Sequence, residues 1–164
     1  MMMDKPLSKS AQRVQDALAA LGLACRVIEL TESTRSAEDA ARAVGCDVGQ
    51  IVKSLVFRGE TSGKPLFVLA SGRNRVAEAR LAELAGEPIG KADARFVREK
   101  TGFAIGGVAP LGHAEVLETY IDEDLMEYPE LWAAAGTPSA LFCLTPAELR
   151  LMTTGRVAMI KEVA

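Results

Sequence analysis

Gly102 to His113 constrains this chain more than any other stretch: GFAIGGVAPLGH sets four glycines and a proline around one short apolar strand. Glycine lets backbone approach a ligand closely, and proline stiffens the loop that does so. Upstream, a single lysine, Lys53, sits inside IVKSLVF, where alternation gives a strand with apolar residues on both faces. A Gly106-x-x-x-Pro110 loop and one embedded amine together suit a small polar ligand that is anionic or carries a carbonyl.

Each element also admits a plainer role. Lys53 shares strand parity with Ile51, Leu55 and Phe57, while Val52 and Val56 point the other way. It therefore projects from a sheet edge, where lysines commonly block unwanted pairing, or faces a cavity. The glycine run can be a tight turn between helix and strand, although a turn alone does not require Pro110. His113, the only histidine, lies just past the loop, close enough to act as a general base or as a hydrogen-bonding support. Support is the favoured role, because no acidic residue stands at a spacing suited to orient the ring.

Composition narrows the classes. With 164 residues and 49% hydrophobic content, the chain can bury one good core, and a single domain over residues 1–164 is expected. No apolar run approaches a membrane span, and the start MMMDKPLSKS lacks the layout of a secretion signal, so the expected location is cytoplasmic with no membrane partner. Cys25, Cys46 and Cys143 are isolated and odd in number, which suggests reduced thiols and no thiolate metal site. A net charge of −3 argues against a protein that coats DNA or other nucleic acid. It leaves room for a local contact: residues 73–100 carry seven basic residues against five acids, whereas 115–130 hold seven acids and none. That asymmetry could orient an acceptor stem, or simply be two solvated faces of opposite sign.

The remaining pattern mixes helices and strands. Leu7, Ala11, Val14, Leu18 and Leu21 recur at helical spacing before Gly22, and Cys25 to Leu30 reads as a strand. Ser36 and Asp39 start a second helix closed by Gly45; Ile51 to Phe57 and Leu66 to Ala70 are strands around a Gly59–Pro65 turn. Asn74 is placed to cap a helix ending at Gly86, and Asp93 one ending at Gly102. Strands are expected at Glu115 to Ile121, Leu131 to Ala135, Ala140 to Leu144 and Arg156 to Ile160, with a Thr145–Glu148 capping box opening a last helix. The Gly136-Thr137-Pro138 turn can approach the glycine loop from a neighbouring strand. The expected class is one α+β domain around a mixed sheet.

Gly106, Gly107, Val108, Ala109 and Pro110, continued by Leu111 and Gly112, together with Lys53 in QIVKSLVF, resemble the YbaK/prolyl-tRNA-editing domains, which hydrolyse wrongly charged aminoacyl-tRNA. The order agrees too, with Thr101-Gly102 before the loop and Tyr120 to Asp122 after it. The resemblance covers most of the chain. It implies a mostly antiparallel, partly barrel-like sheet flanked by helices. It also implies a free-standing deacylase, without metal or cofactor, that cleaves small amino acids such as alanine, cysteine, serine or threonine from tRNA for proline. Lys53, Gly106 and Pro110 would form the catalytic set. Gly107, Val108, Ala109, His113 and Thr34 would bind substrate, with loop backbone mattering more than the side chains of Val108 and Ala109. The implied partners are the acceptor end of aminoacyl-tRNA and prolyl-tRNA synthetase. A non-catalytic module holding an aminoacyl-adenylate-like or nucleotide ligand is the alternative.

Overall fold

The computed structural model describes residues 6–163. The reading of the extreme N-terminus as no secretion signal lies mostly outside them. Helix α1 (Lys9–Ala20) starts where the Ser8 hydroxyl accepts from the Ala11 amide, and it sinks Ala11, Val14 and Leu18 into the core. Strand β1 (Val27–Glu29) leads to α2 (Ala37–Val44), capped by Ser36 and ended by Gly45 at φ 72°. A 3-10 turn at Val48–Gln50 feeds β2 (Ile51–Gly59), which folds back on β3 (Pro65–Ser71). Then come α3 (Glu78–Ala85), β4 (Ile89–Lys91), α4 (Ala94–Thr101) and β5 (Glu118–Asp122). A 3-10 turn at Glu123–Glu127 precedes β6 (Leu131–Ala134), β7 (Ala140–Leu144), α5 (Pro146–Thr153) and β8 (Arg156–Ala158).

The capping chemistry legible in the sequence forms as expected at Ser36, Asp93 and Thr145; the last is a reciprocal box with Glu148. Asn74 does not cap a helix. Helix α3 begins four residues later, with Ala77 at its cap and no side-chain bond there, because the Asn74 amide is taken by Asp122 and Asp124. The glycine run holds no strand, and the strand expected from Glu115 starts only at Glu118. Strand β4 was not anticipated, since three residues, Ile-Gly-Lys, are too short to show a period.

All eight described strands join one mixed sheet in the order β1-β7-β6-β2-β3-β5-β8, with β4 also on β2. Four pairings are antiparallel (β1/β7, β2/β3, β2/β4, β6/β7) and three are parallel (β2/β6, β3/β5, β5/β8). The path is open. Its end strands, β1 and β8, are three residues each and make no pair with one another, so the barrel-like closure does not form. One face, with Val52, Phe67 and Leu69, carries the main core together with Val14 and Leu18 of α1 and Val108 and Ala109 of the glycine loop. The other carries two smaller clusters: Leu66, Val68 and Ala70 pack with Leu81 of α3, and Ile51 with Ala40 and Ala41 of α2.

Candidate functional site

Strand β2 is paired with β3 from Val52 to Arg58, but its other edge is shared. There β6 pairs Ile51 and Val52, and β4 pairs Phe57 to Gly59. Lys53 to Val56 therefore have no strand on that side. Lys53 opens this stretch, on the face between the α2 and α3 clusters. Its ammonium donates to the main-chain carbonyl of Asn74. Burial lowers the Lys53 pKa below the ordinary lysine range, Glu38 and Asp122 oppose that shift, and Arg75 adds to it.

The Asn74 turn is itself anchored from behind. Asn74 Nδ2 donates at 2.8 Å to both Asp122 Oδ2 and Asp124 Oδ2, and Asp122 Oδ2 also accepts from the Ser71 amide at 3.0 Å. Asp122 is wholly buried, and its other oxygen accepts from the Asp124 amide at 3.0 Å. A buried carboxylate with three such donors is satisfied without a cation in contact. Lys161 completes the chain by an ion pair with Asp124 at 2.8 Å; that bond, first, and the one from Asn74 hold the Asp124 carboxyl below its usual range. Sequence reasoning takes Asn74 for a helix cap and Asp122 for a strand end and misses the link between them, because their bond spans 48 residues.

The glycine loop rests on the β6–β7 turn. Gly107 lies so close to Thr137 that a Cβ would stand 2.7 Å from its Cα, while Gly106 is needed for its φ of 94°. Thr34 ties the same turn to the segment before α2: its amide and its hydroxyl donate to the Pro138 carbonyl at 2.7 and 2.9 Å. The structure thus gathers Thr34, Gly106 and Gly107 on residues 136–138. Lys53 stands one strand away, level with the end of β6 that leads into that turn. Pro110 is buried, and the Val108 and Ala109 side chains belong to the core, which leaves backbone as the loop's presentable surface. Gly106 is exposed, and among the described residues its amide has no hydrogen-bond partner within the chain.

Two braces hold the loop from its inner side. His113 Nε2 lies 2.6 Å from the Ala109 carbonyl; a carbonyl only accepts, so this nitrogen carries the proton. The ring packs edge-on to Phe67 at 4.6 Å, and burial pushes its pKa down, helped by Arg13 and opposed by the Ala109 bond. Arg13 of α1 donates to the Thr101 and Gly102 carbonyls before the loop and to the Gly112 carbonyl after it, with its guanidinium 4.7 Å from the Phe103 ring centroid. Neither brace touches Lys53's partners. Two depressions lie away from Lys53: one of about 490 Å³ between Leu30–Thr34 and α2, the other of about 320 Å³ between Pro110–Leu117 and Met152–Thr154. The open edge of β2 is the candidate site, because the Lys53 amine stands there one strand from the turn that carries the glycine loop.

This arrangement offers a fixed cation, an exposed amide and stiff backbone, and among the described residues His113 is bonded to a main-chain carbonyl and to no acidic side chain. Among the described residues no three His, Cys, Asp or Glu side chains form a metal-holding group, and Cys25, Cys46 and Cys143 are free thiols. No described helix is long and apolar enough to cross a membrane. A model of the aminoacyl-tRNA editing domain matches residues 31–151. The chain belongs to that family. A crystal structure described as a candidate trans-editing enzyme for prolyl-tRNA synthetase superimposes with a TM-score of 0.91 at 53% identity, covering 96% of this chain and 100% of that one. Among curated proteins, this editing domain is 31% identical over 131 residues to the uncharacterized protein YwhH of Bacillus subtilis (strain 168), 80% of this chain and 83% of YwhH. It is 28% identical over 131 residues to EbsC of Enterococcus faecalis (strain ATCC 700802 / V583), named as a candidate Cys-tRNA(Pro)/Cys-tRNA(Cys) deacylase, covering 79% of each chain.

Proposed function

We propose that this editing domain is a free-standing deacylase that hydrolyses the ester between a small, wrong amino acid and the terminal ribose of tRNA for proline. The observation that carries the reading is the half-buried Lys53 amine at the unpaired stretch of β2, one strand from a backbone-presenting glycine loop, in a chain of this family. Small amino acids differ by so little binding energy, about 1–3 kcal/mol, that a synthetase needs a second, hydrolytic sieve. In this reading Lys53 acts as a point charge toward the reacting ester or the adjoining phosphate, and the Gly106 amide faces the carbonyl oxygen as water attacks. Arg75 is exposed, forms no ion pair among the described residues and sits close enough to Lys53 to act on its charge, so it offers an acceptor-end phosphate a second cation. The water is activated through the substrate's own ribose hydroxyl or amino group, since His113 is engaged with Ala109. Prolyl-tRNA synthetase is the partner this reading implies.

The test is single-turnover hydrolysis of alanyl-, cysteinyl-, seryl- and threonyl-tRNA for proline by the purified protein, with prolyl-tRNA as control. Faster release of at least one small amino acid than of proline is expected. Equal, background-level rates on all five would overturn the reading.

A further inference from the structure

Ser54 follows Lys53 on β2 and is the one residue among those described whose buried side-chain oxygen or nitrogen has no hydrogen-bond partner. A hydroxyl shut away without a partner is unfavourable by desolvation alone, so natural chains rarely keep one without use. Its position is specific. Ser54 pairs with Leu69 in the β2–β3 register, so it faces the main core with Val52 and Val56, opposite to Lys53. On its free edge no strand stands beside it. Carrying the β6 register on by two residues brings Ala135 level with Ser54, and the chain then enters the Gly136–Thr137 turn on which Gly107 packs. Lys53 and Ser54 thus border one gap in the sheet from its two faces, and Ser54 is on the face that holds the glycine loop.

We propose that Ser54 is a substrate-contacting residue whose hydroxyl hydrogen-bonds the aminoacyl group held at the loop, while Lys53 serves the ester or phosphate side. The inference rests on the deacylase reading above. Ser54 is half-buried as a residue, and a serine χ1 has three staggered wells through which its hydroxyl can turn. A contact made only with substrate explains why the oxygen lacks a partner in the free protein.

The experiment compares wild type with Ser54→Ala and Ser54→Cys, reading thermal unfolding midpoints and single-turnover hydrolysis of alanyl-, cysteinyl-, seryl- and threonyl-tRNA for proline. The expected result is a midpoint equal to or above wild type with both variants and a roughly tenfold slower rate on the best substrate. Unchanged rates in both variants would overturn the inference and leave the deacylase reading standing. A lowered midpoint, with activity falling only as the folded fraction does, would also overturn it by making the hydroxyl structural. A wild-type protein inactive on all four substrates defeats the deacylase reading itself, and the Ser54 inference with it.

Discussion

The ammonium of Lys53 is held by the main-chain carbonyl of Asn74, a residue whose own side chain is tied to the buried Asp122 and to Asp124. A cation half-withdrawn from water and held by a neutral carbonyl keeps its charge available to a ligand, as an ion pair would not. Replacing it by alanine leaves the fold intact, because burial disfavours the charge. In the proposed reaction the same change slows deacylation about a hundredfold, the usual effect of losing ~3 kcal/mol of electrostatic stabilisation. Circular dichroism paired with deacylation rates is the check, and a folded Lys53→Ala protein with full activity would contradict it.

Asn74→Ala removes the anchor and keeps the carbonyl. It leaves Asp122 with one fewer donor, so a stability loss of about 1–3 kcal/mol is expected, measured by urea unfolding. Its effect on rate should run through Lys53. The variant is therefore expected to slow the wild-type background and to change nothing further when added to Lys53→Ala; additive losses would show that the Asn74 turn acts by another route.

His113 predicts a pH dependence of stability. Burial lowers its pKa in the folded protein, so below about pH 6.5 the unfolded chain takes up a proton that the folded one resists. The stability from this site is present above the unfolded pKa and is lost as pH falls through the folded one. His113→Gln should flatten the fall in melting temperature between pH 7.5 and pH 5 relative to wild type. Because the ring braces Ala109, the same variant is expected to cut deacylation by only about two- to tenfold. An abolished rate in a folded variant would make the imidazole a direct participant.

The two central glycines fail for different reasons when replaced. Gly106→Ala meets no atom closer than 3.6 Å, so it bears only the strain of a positive φ, about 1–2 kcal/mol. Gly107→Ala drives a methyl against the Thr137 backbone, which must move. The larger loss of rate and stability is expected for Gly107→Ala. Ala109→Ser is also costly, by about 1–3 kcal/mol, since it puts a hydroxyl into a fully buried apolar site. Melting temperatures and deacylation rates for all three variants decide the order.

What the sequence determined by itself is local. Caps at Ser36, Asp93 and Thr145 satisfy amides three residues away, and glycines at 45, 86 and 102 end helices through their own φ, so both are readable from short windows. Strand parity placed Lys53 apart from Val52 and Val56, and the glycine run marked a loop. The tertiary structure decided what those residues meet. Asn74 looked like a cap until Asp122 and Asp124, far along the chain, captured its amide. Arg13 on the first helix clamps both ends of the glycine loop, and Gly107 lost its room to Thr137. The gap beside Lys53 and Ser54 exists only because two different strands, β6 and β4, divide one edge of β2. Periodicity records which face a residue turns to, but which distant strand or side chain arrives at that face is set by packing the whole chain.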